Sequence, residues 1–168
     1  MIRDLLCRLK ESNKIGIICG ETALSYKKWH QLSDKLSNGV LKNLSQKIVG
    51  LFLSNSIPYA VSYFACLYAD KVVAPIHTGS TMSEMFNTIK HCSISALITT
   101  EAHFHFIEML VVTYNIPMYV IVIDDSVEVQ KFVLLNNNLT LNVFEKNDLD
   151  DLDDVVVLLH TSGTTSKP

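Results

Sequence analysis

Four apolar runs, separated by stretches of helical periodicity, constrain this chain more than any other feature. The runs cover 47–53, 72–76, 94–99 and 118–123. Between them lie three segments with helix-start chemistry. Ser56 and Pro58 open the first, which runs to about Tyr68. Thr81-Met82-Ser83-Glu84 forms a capping box for the second, and the third covers 101–114. A strand that is apolar throughout, instead of alternating, is covered on both faces. The resulting β-α-β-α-β-α-β order with short links predicts an α/β fold. Its form is a doubly wound, mainly parallel sheet with helices on both faces and right-handed crossovers.

The flanking regions follow from the same periodicities. Leu5, Leu6 and Leu9 give one apolar face to a short helix within 1–13. Residues 15–19 and 23–24 flank Gly20-Glu21, a hairpin turn. Ser25 caps a long helix whose stripe is Trp29, Leu32, Leu36, Val40 and Leu44. Residues 126–145 are expected to hold one or two short strands with a turn at Asn136-Asn137-Asn138. Residues 147–154 carry five aspartates among leucines, which reads as a solvated acidic linker. A metal site there lacks an ordered scaffold to fix the carboxylates. The whole of 1–168 is expected to be one α/β domain.

Composition excludes several classes of function. The chain has 168 residues and a formal net charge of −3, with no basic cluster, so it carries no electrostatic footprint for nucleic acid. It is 48% hydrophobic and only 18% charged, which suits strands covered on both sides. Residues 48–69 are uncharged and long enough to span a bilayer, but Ser54-Asn55-Ser56-Ile57-Pro58 interrupts them. Strand, turn and helix is therefore the expected arrangement, with no membrane span. The N-terminus has no signal-peptide apolar core, and a cytoplasmic location is expected. Cys7, Cys19, Cys66 and Cys92 form no C-x-x-C and are expected to be buried free thiols.

Candidate chemical sites are few. His103 and His105, with Glu101 and Glu108, suggest a metal. Two histidines two apart on a helix point about 200° apart and share one ion poorly, so a structural role is expected. No G-x-S-x-G elbow supports a hydrolase, and no G-x-G-x-x-G after a strand supports a dinucleotide fold. The remaining stretch is the most informative. A β-branched run, Val155-Val156-Val157-Leu158-Leu159, breaks at His160 into Thr161-Ser162-Gly163-Thr164-Thr165-Ser166-Lys167-Pro168. A strand ending in such a loop presents N–H groups and hydroxyls in a donor-rich arc suited to phosphate oxygens. Gly163 permits close approach. A plain polar turn after a strand is the alternative reading of these residues.

Residues 159–168 closely resemble the phosphate-loop signature of the adenylate-forming superfamily. That family includes acyl- and aryl-CoA ligases, luciferases and peptide-synthetase adenylation domains. The family loop runs Thr-Ser-Gly-Ser/Thr-Thr-Gly-any-Pro-Lys-Gly. This chain matches through Thr165, carries Ser166 where glycine is usual, and places Lys167 at the variable position. Two further segments resemble the family in the right order. Leu24-Ser25-Tyr26-Lys27-Lys28-Trp29 is similar to Leu-Thr/Ser-Tyr-x-Glu-Leu, with Lys28 at the acidic position. Residues 67–76 are similar to Leu-Lys-Ala-Gly-Ala-Val-x-x-Pro-Leu, with Asp70 at the glycine. If that position is left-handed, Asp70 tolerates it better than most residues.

The resemblance implies the N-terminal subdomain portion of the adenylate-forming fold, roughly the first third of a typical member. It implies that Thr161, Ser162, Gly163, Thr164, Thr165 and Ser166 hold the β- and γ-phosphates of ATP, accompanied by Mg. It also implies a parent enzyme that activates a carboxylic acid as an acyl-adenylate and passes it to a thiol, coenzyme A or a carrier protein. His160 stands where family members often carry an aromatic residue. The parts that bind adenine and the acid lie later in the family, so this chain alone is expected not to catalyse adenylation. His77-Thr78-Gly79-Ser80 replaces the Asp-Pro usual in peptide-synthetase domains and favours an acyl or aryl acid ligase over amino-acid activation. A complete non-catalytic α/β module is the alternative of another class. Because an open sheet leaves an edge strand uncovered, self-association through that edge is expected.

Overall fold

The computed structural model describes residues 2–136 and 155–159. A short helix, α1 (Ile2–Arg8), precedes a hairpin of β1 (Ile15–Cys19) and β2 (Thr22–Ser25). Gly20 takes φ 57° in the two-residue turn, a left-handed value suited to glycine. The helix α2 (Tyr26–Gly39) follows, capped by the Ser25 side chain, which accepts from the Lys28 N–H. Next come β3 (Ile48–Phe52), α3 (Ile57–Tyr68), β4 (Val72–Pro75), α4 (Met82–His91), β5 (Ala96–Thr99), α5 (Glu101–Tyr114), β6 (Met118–Ile123) and β7 (Val129–Leu135). The order β4-β3-β5-β6-β7 is parallel from β4 to β6, and β7 adds antiparallel to β6. The mainly parallel α/β sheet expected from the sequence is therefore present.

Two apolar layers sandwich the sheet. On one face Leu36 of α2 and Val61, Ala65 and Cys66 of α3 pack on Val49, Leu51, Val73, Ile98 and Ile121. On the other, Met85 and Ile89 of α4 and Ile107, Leu110 and Val111 of α5 pack on Phe52, Val72, Leu97 and Val120. Alternate residues of each strand feed opposite layers, so β3 and β5 are buried along their whole length. Residues 48–69 form strand, turn and helix, and among the described residues no helix is long and apolar enough to cross a membrane.

Local chemistry sets most boundaries. Ser56 caps α3 by accepting from the Tyr59 N–H. In α4, Thr81 and Glu84 complete the reciprocal capping box. Asp70 takes φ 55°, the left-handed conformation that its position after α3 demands. The stripe through Leu44 does not mark one helix. The helix α2 stops at Gly39, and Val40 caps it at φ −132°. A 3-10 turn over Leu41–Asn43 then keeps Leu41 and Leu44 buried. Glycine disfavours helix continuation, while the tighter turn preserves the burial of the apolar side chains.

The helices α2 and α3 pack through small residues. Ser33 Oγ donates to the Val61 carbonyl at 3.1 Å. Among the described residues, the buried hydroxyls of Ser37 and Ser62 have no hydrogen-bond partner. An unmade hydrogen bond in a dry contact is destabilising. Ser62→Ala is therefore expected to raise the unfolding free energy by about 1 kcal/mol. Urea unfolding checks this, and a lowered midpoint with unchanged slope would contradict it.

The cysteines correct one expectation. No disulfide forms, but only Cys66 is buried; Cys19 and Cys92 are half-buried and Cys7 is exposed. The helix α1 turns Leu6 inward, while its neighbour Cys7 stays exposed beside Tyr68. Burial pushes the Cys66 thiol up to about 12. Because the thiolate is the nucleophile, iodoacetamide at about pH 8 is expected to label Cys7 and spare Cys66 in the native chain. Mass spectrometry of peptides checks this, and equal labelling of both would contradict the packing of α3.

Candidate functional site

Segment 155–159 lies beside β4 and runs parallel to it. The Val73 N–H donates to the Val156 carbonyl at 2.9 Å, and the Leu158 N–H donates to the Val73 carbonyl at 2.8 Å. Val155 and Leu158 pack against one core layer, and Val156 and Val157 against the other. The sheet thus extends to 155–159, β4, β3, β5, β6 and β7. Because the segment is parallel, Leu159 points the chain out at the carboxyl end of the sheet. Continuing the Val73–Val157 register sets Leu159 beside Pro75. Leu159 is 77% exposed, so the apolar run emerges from the core at this point. His160 and the candidate residues Thr161, Ser162, Gly163, Thr164, Thr165 and Ser166 lie outside the described residues, as does the acidic stretch 147–154.

The rim around that exit is polar and carefully capped. After β4, the Gly79 N–H donates to His77 Nδ1 at 3.1 Å. A Cβ on Gly79 would meet the His77 ring at 2.7 Å, so glycine is what allows the ring to lie there. The Thr81 N–H and hydroxyl hold the Glu84 carboxyl below the usual carboxylate range. After β3, Ser54 and Asn55 are exposed, and Ser56 caps α3. After β5, Thr99 is fully buried and its hydroxyl donates to the Phe52 carbonyl at 3.0 Å, tying the ends of β3 and β5. The chain order reverses between β3 and β5, the topological position at which open α/β sheets form ligand crevices. Segment 155–159 lies beyond β4, about 10 Å from β3 by strand spacing, on the same rim.

The histidine pair does not form a metal site. His103 Nδ1 lies 3.4 Å from Thr100 Oγ1, and its ring packs 5.1 Å from that of Phe52. His105 faces Glu108 at 3.5 Å, in a different direction from His103. Among the described residues no cluster of three His, Cys, Asp or Glu could hold an ion.

Two further shifted acidities lie at the opposite end of the sheet. Lys71 is lowered by burial and donates to the Leu44 carbonyl, but it precedes β4 at the amino end of the sheet. Burial also raises Tyr68, which ends α3 at that same end and pairs with His30 Nδ1 at 2.9 Å. One feature escaped the sequence reading. A groove on α5 is lined by Glu108, Val111, Val112, Asn115, Leu135 and Asn136. Its only sequence signal is a helix that is apolar nearly all round, including Val112 at 77% exposure.

Known proteins resemble this arrangement. The 2-succinylbenzoate–CoA ligase of Staphylococcus epidermidis is 26% identical over 157 residues, covering 91% of this chain and 28% of that ligase. The chain thus spans under a third of the length of the curated relatives it matches. Apo MatB from Rhodopseudomonas palustris superposes with a TM-score of 0.67 at 18% identity, over 98% of this chain and 33% of that one. The anthranilate CoA ligase AuaEII, in complex with anthranoyl-AMP, gives a TM-score of 0.64 at 22% identity, over 72% of this chain and 24% of that one. These likenesses show the fold. The sequence model of the AMP-binding enzymes matches residues 8–168, and the chain belongs to that family.

Proposed function

We propose that this chain is the nucleotide-phosphate-binding portion of an ATP-dependent carboxylic acid–thiol ligase, with residues 161–166 as the loop that holds the β- and γ-phosphates. The observation that carries this reading is the parallel pairing of 155–159 with β4, which directs the chain toward the carboxyl rim. The motif Thr161-Ser162-Gly163-Thr164-Thr165-Ser166 follows directly in the sequence. Preorganised N–H and hydroxyl donors at that point suit an anionic leaving group. In the reaction the substrate carboxylate oxygen bonds to the α-phosphorus, and the bond to pyrophosphate breaks. A thiol sulfur then attacks the acyl carbon and AMP departs. Donors on the β- and γ-phosphates stabilise the charge that develops on pyrophosphate in the first step. The hydroxyls of Thr161, Ser162, Thr164, Thr165 and Ser166 are hard oxygen donors of the kind Mg accepts beside ATP phosphates.

The proposed substrate is an acyl or aryl acid, and the acceptor is coenzyme A or a carrier protein. The His77-Thr78-Gly79-Ser80 loop and a CoA-ligase relative favour this over amino-acid activation. A cytoplasmic setting, where ATP and coenzyme A are available, fits the same chemistry, and self-association through the sheet edge belongs to the same reading. The test is carboxylate-dependent ATP–pyrophosphate exchange in a protein that joins this chain to the remaining family fold. Exchange with aliphatic or aromatic acids is expected. Exchange with amino acids alone would overturn the substrate class, and no exchange with any carboxylate would favour a non-catalytic module. The 168-residue chain by itself is expected to give no exchange.

A further inference from the structure

We draw no further inference here: the strongest candidate, the side-chain cluster of Cys7, Tyr68 and His30 where α1 and α2 meet the end of α3, rests on one exposed thiol and the hydrogen bonds inside the cluster, and nothing else among the described residues points to a ligand there.

Discussion

Gly50→Val lowers the unfolding free energy of this chain by about 3 kcal/mol. Gly50 lies at the centre of β3, the strand between β4 and β5. A Cβ there would meet Leu97 Cδ2 at 2.3 Å, Ile76 Cδ1 at 3.1 Å and Ile94 Cγ2 at 3.2 Å. Each of these atoms ends a side chain, but Leu97 and Ile94 are fully buried and Ile76 is 5% exposed, so none has free space to enter. Close-packed interiors transmit such strain to the strand pairing itself. Gly39→Ala is the control. A Cβ there meets nothing within 4 Å, so that change is expected to be neutral or mildly stabilising at the end of α2. Urea unfolding of both variants checks the contrast, and equal midpoints would contradict the packing described for β3.

Gly163→Val is expected to lower the rate of ATP–pyrophosphate exchange about 10²–10³-fold in a ligase that contains this segment. The argument is chemical. A phosphate oxygen reaches backbone N–H groups only where no side chain intervenes, and glycine alone lacks one. Losing one preorganised donor from a site that stabilises developing charge typically costs this much. Thr164→Ser keeps the hydroxyl and is expected to keep most of the rate. Equal losses in the two variants would point to a general disruption and count against the role given to Gly163.

The sequence disclosed different parts of the molecule for different reasons. The parallel core was legible because Val72–Pro75 and the Ala96-Leu97-Ile98 run of β5 are apolar without alternation, as suits a doubly covered strand. The starts of α3 and α4 were legible because Ser56 and Thr81–Glu84 carry capping chemistry in their side chains. The end of α2 was not. Leu41 and Leu44 keep the apolar spacing through a 3-10 turn, so periodicity continues where the helix stops. The exposure of Cys7 was hidden for a similar reason: α1 needs only one buried face, and its neighbour Leu6 provides it.

The candidate site shows the same division. The residue types of Thr161 to Ser166 fit a plain polar turn as well as a phosphate loop, and it is their order, which resembles the family loop, that suggests phosphate. Its approach was not readable from sequence, because no local pattern reveals that 155–159 pairs with β4 instead of β7. That choice is tertiary, made by the hydrogen bonds between Val73 and the backbone at Val156 and Leu158. The His103–His105 pair shows the reverse. It looks chemical in sequence, but helix geometry sends one ring to Phe52 and Thr100 and the other toward Glu108.

The most direct test of the central claim is phosphorus NMR of ATP titrated with this chain, with AMP as a competitor. A loop that grips the terminal phosphates should broaden or shift the β and γ resonances more than the α resonance. Gly163→Val should abolish the effect, and AMP should not displace ATP. If all three resonances stay unperturbed, or if AMP competes as well as ATP, residues 161–166 do not hold the β- and γ-phosphates and the proposed function fails.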